Sequence, residues 1–224
     1  MEFTLLWAAL TAVVFGWVGL QIWSERLPEH ASDRLIAATL AGLVAGRLTA
    51  MLVQGINPVT NPGDFIIVRG GVDTGVATTV FIVSLLWGTR RNAGAIDAMA
   101  PAVLFALAGW HAGCLWRGAC LGTASDLPWA WAQTGSDVTR HPVEIYTALG
   151  LALGAYVVSR LGWQRWLRAG VALAVASAVR LLTEPLRPSI TGGPVGWYVA
   201  GLVVGLLAAT LGRRLTPADH PAPT

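Results

Sequence analysis

Arg180, Glu184 and Arg187 stand at i, i+4 and i+7 in the stretch "AVASAVRLLTEPLR". On a continuous helix that spacing puts all three on one face. Two guanidiniums around one carboxylate leave a net positive charge, and guanidinium forks match phosphate oxygens bidentately. The plainer reading is a pair of Arg side chains snorkelling to an interface. Pro185 and Pro188 disturb the helix, so Glu184 is expected near its end or at a kink. A second polar group, "TRHPVEIY" at 139–146, directly precedes the apolar run "TALGLALGAYVV". Pro142 suits the first turn of a helix, where its missing N–H costs nothing. That places His141 at the cap and Glu144 and Tyr146 in the first turn. Alone, this is a capped helix with an interfacial Tyr. Beside the Arg face, it reads as the mouth of a pocket for the anionic headgroup of a phospholipid.

The elements that must position these groups are apolar. Of 224 residues 54% are hydrophobic and 12% charged, about half the charge of a soluble domain. The mean hydropathy is +0.60. Seven apolar blocks can be marked, at 4–23, 35–53, 71–88, 96–115, 143–161, 169–183 and 195–211. Most approach the ~20 residues that cross a bilayer core. The sixth is short and holds Arg180. The fold expected is an all-α integral membrane protein with seven transmembrane helices in one domain over 1–224. The first block lacks a basic start and a clear cleavage site, so it reads as a retained helix. All 15 basic residues are Arg. With the N-terminus outside, nine Arg fall in the inner loops and C-terminal end and four in the outer loops. That asymmetry favours N-out, with the C-terminus cytoplasmic. A Pro- and Gly-containing arm at about 54–70 and a loop at about 116–140 are then external, and 215–224 reads as a disordered tail. Trp129 and Trp131 in that loop suit the bilayer interface.

Arg47 lies mid-block in "AGLVAGRLTAML". A charge there faces a bundle interior or a wet cavity, or pairs with a carboxylate such as Glu184 or Asp97. The net charge of +3 is too small and scattered for nucleic acid. Cys114 and Cys120 are too few for a disulfide scaffold or a metal set. On a continuous helix they stand ~9 Å apart along the axis, too far to bond. A turn at Gly118 would let them pair, but small apolar fillers are the commoner outcome. No cofactor or metal is expected.

Four separated segments together resemble the prolipoprotein diacylglyceryl transferase family. "HPVEIY" resembles its His-Pro-x-Gln-Leu-Tyr at the start of a span. "RLLTEPLR" resembles its Arg-x-x-x-Glu-x-x-Arg. "GCLWRGACLG", followed by "DLPWAW", is similar to its Gly-Cys signature before a Pro-Trp-Ala segment. Gly46-Arg47, and "RGGVDTG" before Arg91, resemble its second-span Gly-x-Arg and its Gly-Gly arm. The segments keep the family's order over about 40–200.

The resemblance implies seven spans, N-out and C-in, in the bacterial cytoplasmic (inner) membrane. It implies transfer of the diacylglyceryl group of phosphatidylglycerol to the thiol of a lipoprotein precursor, with glycerol phosphate leaving. Arg180, Arg187, His141, Glu144, Tyr146 and Arg47 are then the substrate-binding candidates, with Glu184 orienting the two Arg. The sequence departs from the family in two places. The family's His after the Gly-Gly arm falls at Gly75, beside Asp73. The first Arg of its signature is His111, and a polar residue within it is Ala119 or Cys120. His111 is therefore the candidate base or cation, and Asp73 the second choice. Two other classes compete. One is a family relative without catalysis, serving as a phospholipid-binding or partner-binding subunit. The other is a small transporter or channel, which ranks last for want of visible inverted repeats.

Overall fold

The computed structural model describes residues 4–24, 27–66, 71–114, 120–132, 135–188 and 193–215. Eight α-helices occur among them: α1 (Thr4–Ile22), α2 (Ala31–Val53), α3 (Pro62–Ile66), α4 (Thr74–Gly88), α5 (Ala93–Gly113), α6 (Val143–Ser159), α7 (Leu167–Thr183) and α8 (Val195–Leu215). Each of the seven apolar blocks falls on a helix. Ala31–Val53, Ala93–Gly113, Leu167–Leu186 and Val195–Gly212 are long and apolar enough to cross a membrane. Trp7–Ile22, Thr74–Gly88 and Val143–Ser159 are shorter apolar helices. The sixth block, short by hydropathy, thus lies in one of the four stretches long and apolar enough to cross a membrane, once the turn Glu184–Leu186 is counted with it. The tail at 216–224, the turn at Gly118 and Ala119 lie outside the described residues.

The chain divides into two compact units, residues 28–96 and residues 1–27 with 97–224. In the first, α2 and α4 meet over Gly46. A Cβ there would stand 2.7 Å from the Asp73 carbonyl oxygen, and the Asp73 N–H donates to the Gly46 carbonyl at 3.0 Å. The Asp73 carboxylate caps α4, accepting from Val76 N–H at 2.9 Å, as an N-cap Asp does for an otherwise orphaned donor. Arg47 is buried. Its Nη1 donates to the Gly71 carbonyl at 2.8 Å and its Nη2 to the Asp64 carbonyl. The expected arm is thus bound to α2 through its backbone, and it contains the short helix α3.

In the second unit, small residues bring helices close. A Cβ at Gly170 of α7 would stand 2.6 Å from the Gly205 carbonyl of α8, and one at Gly205 2.6 Å from the Gly170 carbonyl. Thr11 of α1 donates to the Gly109 carbonyl of α5 at 2.9 Å. The core between α5, α6 and α7 is Ala100, Leu104, Ala108, Leu151, Ala155, Val158 and Ala172. Large apolar side chains such as Trp17, Leu153 and Val203 face outward. Small residues inside and large apolar ones outside are what helices packed in lipid require.

Two polar side chains finish the helix ends away from the candidate site. Asp97 of α5, buried, accepts from Ala169 N–H at 2.8 Å, on the first turn of α7. Arg168 donates to the Ser159 carbonyl at 3.1 Å and the Leu161 carbonyl at 2.7 Å, and stacks over Trp163 at 3.7 Å. Cations and N–H donors at the last carbonyls of a helix are favourable both as bonds and against its dipole.

The α5–α6 connection carries two two-residue strands, β1 (Trp131–Ala132) and β2 (Thr139–Arg140), paired antiparallel. Cys114 and Cys120 form a disulfide with Cα atoms 5.9 Å apart, which corrects their reading as apolar fillers. The α-helix ends at Gly113, so the axial rise of a continuous helix no longer separates them.

Candidate functional site

Two local expectations shift first. Pro142 is the N-cap of α6, not its first residue. Its carbonyl takes the opening bonds from Ile145 and Tyr146 N–H, and His141 stands one position further out. The α7 helix stops at Thr183. Glu184–Leu186 is a single 3-10 turn, and Arg187 is extended with ψ 139. Pro185 has no N–H to continue the ladder, and its ring conflicts with the preceding turn. Arg180, Glu184 and Arg187 therefore do not share one continuous helix face, yet the turn still brings both Arg to Glu184.

Glu144, in the first turn of α6, is the hub. Its Oε2 accepts from His111 Nδ1 at 2.5 Å and its Oε1 from Arg187 Nη1 at 2.6 Å. Glu184 lies 3.6 Å from Arg180 Nη2 and 3.7 Å from Arg187 Nε, close enough for charge pairing and too far for hydrogen bonds. Arg180 Nε and Nη2 instead donate to the Tyr198 hydroxyl of α8 at 3.1 and 2.6 Å. A continuous polar chain thus runs His111–Glu144–Arg187–Glu184–Arg180–Tyr198 across α5, α6, α7 and α8.

The charge count differs from the expected net positive. Glu144 adds a second carboxylate, so two Arg face two Glu. Unfilled donors nevertheless remain at this place. Arg187 Nε and Nη2 are buried without a hydrogen-bond partner, as is Glu184 Oε2. Buried N–H groups of a guanidinium left unpaired are costly. A phosphate oxygen is a natural acceptor for them.

The backbone holds the walls in register. Gly122 N–H donates to the His141 carbonyl at 2.7 Å, His141 N–H to the Thr123 carbonyl at 3.0 Å, and Thr123 N–H to the Leu186 carbonyl at 2.8 Å. Residues 122–123 thereby tie the start of α6 to the turn carrying Glu184 and Arg187. Gly193, at φ +67, faces Glu184 so closely that a Cβ would collide with its carboxylate.

The structure brings His111, Glu144, Arg180, Glu184 and Arg187 together. His141 and Tyr146 form a separate edge-to-face pair at 6.2 Å. The Tyr146 hydroxyl accepts from Trp129 Nε1 at 2.8 Å, and His141 Nδ1 is buried without a partner. Arg47 and Asp73 belong to the other unit and are engaged there as described. Sequence reading missed Tyr198 and Gly193. Neither has a spacing or motif that links it to Arg180 or Glu184, because each reaches the site from the α8 side of the chain.

The family model for prolipoprotein diacylglyceryl transferase matches residues 3–214. A phosphatidylglycerol–prolipoprotein diacylglyceryl transferase of Methylobacillus flagellatus is 32% identical over 146 residues, 61% of this chain and 55% of its own. Its counterpart in Polynucleobacter necessarius is 32% identical over 129 residues, covering 54% of this chain and 49% of its own. One from Vibrio vulnificus is 27% identical over 189 residues, 77% and 68% of the two chains. The chain spans about half the length of the first two of these relatives. With nearly its whole length matched by the family model, this chain belongs to the prolipoprotein diacylglyceryl transferase family.

Proposed function

We propose that this protein transfers the diacylglyceryl group of phosphatidylglycerol to the cysteine thiol of a lipoprotein precursor, in the bacterial inner membrane. The observation that carries this reading is the buried chain from His111 through Glu144 to Arg187, ending in unpaired guanidinium donors. With Nδ1–H donating to Glu144, Nε2 of His111 holds the lone pair that takes the thiol proton. The thiolate is the competent nucleophile. It attacks the glyceryl carbon bonded to the phosphate oxygen. The C–S bond forms as that C–O bond breaks, and glycerol phosphate leaves with the electron pair. Arg180 and Arg187 stabilise the charge developing on the phosphate. Glu184 orients them. His141 and Tyr146, paired beside Trp129, shape the entry for the headgroup. Arg47 holds the arm through the Gly71 and Asp64 carbonyls. Asp73, engaged as a helix cap, is the weaker candidate for base.

We further propose one membrane domain with seven spans, the N-terminus and the 54–70 and 116–140 segments external and the C-terminus cytoplasmic. Two independent observations support that orientation. The Arg asymmetry puts most positive charge on the opposite side. The Cys114–Cys120 disulfide belongs to an oxidising compartment.

The alternative of a non-catalytic, lipid-binding relative draws on the replacement of the family's signature Arg and arm His by His111 and Gly75. The test is direct. Purified protein in phosphatidylglycerol nanodiscs is given a synthetic lipobox peptide, and the diacylglyceryl mass gain is read by mass spectrometry. Transfer that falls ~10²–10⁴-fold in His111→Ala and is not restored by His111→Arg supports the base role. Restoration by Arg assigns His111 to phosphate binding. No transfer by the wild type with any lipobox peptide favours the lipid-binding alternative.

A further inference from the structure

Tyr198, on the first turn of α8, takes two hydrogen bonds from one guanidinium, at 3.1 Å from Arg180 Nε and 2.6 Å from Nη2. The guanidinium carbon also lies 5.1 Å from its ring centroid. A phenolic hydroxyl has one hydrogen to donate and its lone pairs to accept. Here the accepting side is filled by Arg180, so the O–H hydrogen is turned away from that cation. Among the described residues it donates to no acceptor. Arg180 is correspondingly held from two sides, by Tyr198 on its Nε/Nη2 edge and by Glu184 at 3.6 Å from Nη2. Its Nη1 makes no hydrogen bond among the described residues. An O–H and a guanidinium N–H with no acceptor among the described residues, held against each other, suit one phosphate oxygen, and Glu184, 3.6 Å from Arg180 Nη2 and 3.7 Å from Arg187 Nε, links them to the buried donors of Arg187. Tyr198 is half-buried in the apolar N-terminal half of α8, where Phe would fill the same space and leave Arg180 Nε and Nη2 without their acceptor.

We propose that Tyr198 is a binding residue for the phosphate ester, its O–H donating to a phosphate oxygen that Arg180 also holds. This rests on the transferase reading for the identity of the ester. Its own chemistry requires only a phosphate oxygen. The hydroxyl matters most as negative charge grows on the leaving phosphate, because a donor already held in place by Arg180 needs no reorganisation.

The experiment uses the full chain in nanodiscs. Four ligands are titrated: phosphatidylglycerol, sn-glycerol 1-phosphate, inorganic phosphate, and diacylglycerol as the phosphate-free control. Tyr198→Phe is expected to weaken the two phosphate esters by about tenfold or more, the scale of losing a hydrogen bond to a charged group. Diacylglycerol binding should be retained. In an Arg180→Ala background the further loss from Tyr198→Phe should shrink to less than about twofold, because the hydroxyl is aimed only through Arg180. Unchanged ester binding in Tyr198→Phe overturns the proposal. So does an equal loss for diacylglycerol, which marks a structural role. Inorganic phosphate binding as tightly as both esters identifies a free-anion site and overturns the headgroup assignment. A wild type that binds the esters but transfers nothing to a lipobox peptide removes the transferase reading alone, and the ester titrations still decide for Tyr198. A wild type that binds no phosphate ligand overturns the proposal.

Discussion

Replacing Glu144 separates its structural and chemical roles. Its two carboxylate oxygens accept from His111 at 2.5 Å and from Arg187 at 2.6 Å, and its side chain is 9% exposed. Glu144→Ala strips both partners at once. It leaves His111 without its acceptor and Arg187 with only the 3.7 Å contact to Glu184 as counter-charge, and breaking a buried pair in this way costs about 3–5 kcal/mol. Glu144→Gln behaves differently. The amide keeps the shape, and its carbonyl oxygen still accepts from Arg187. Its NH2 then faces His111 Nδ1, which must become the acceptor. The ring proton moves to Nε2, where the base lone pair is needed. Glu144→Gln should therefore fold, with a stability loss of about 1–3 kcal/mol. Its transfer rate should fall by ~10²–10⁴, the range of a lost general base. The assay pairs thermal unfolding in detergent with the rate of diacylglyceryl transfer to a lipobox peptide. A Glu144→Gln protein with the wild-type rate would refute the His111 base. A Glu144→Ala protein of unchanged stability would refute the buried ionic hub itself.

The other predictions follow from neighbouring features. Asp137→Cys, exposed on the α5–α6 connection, should react with an impermeant maleimide added to intact spheroplasts. Reaction only after the inner face is opened would reverse the proposed orientation. Reducing Cys114–Cys120, or replacing both by Ser, removes a short-loop cross-link worth about 2 kcal/mol. A lowered unfolding temperature under reductant is expected, and an unchanged one would mean the segment is held without the bond. Gly193→Ala places a methyl group against the Glu184 carboxylate at φ +67. It should displace Glu184 and weaken phosphatidylglycerol binding, and a variant binding as tightly as wild type would exclude Gly193 from shaping the site.

What could be read without tertiary structure was whatever depends on neighbours along the chain. The seven apolar blocks became helices because apolar length and composition are local properties. Asp73 as a helix cap and the end of α7 near Pro185 obey local rules as well. The i, i+7 reading of Arg187 failed for a local reason, since Pro185 removed the N–H that a continued helix needs. The polar hub followed no such rule. His111 and Glu144 are 33 residues apart, Glu144 and Arg187 are 43, and Arg180 and Tyr198 are 18, each pair on different elements. Their meeting depends on which faces of α5, α6, α7 and α8 pack together. Small residues such as Gly170 and Gly205 set that packing by letting backbones touch. Sequence alone determined that Arg, Glu and His sit at the ends of apolar helices. Only the packed bundle decided that Glu144 would neutralise Arg187 and orient His111. A buried carboxylate must be paired with whatever donors the neighbouring helices present to it.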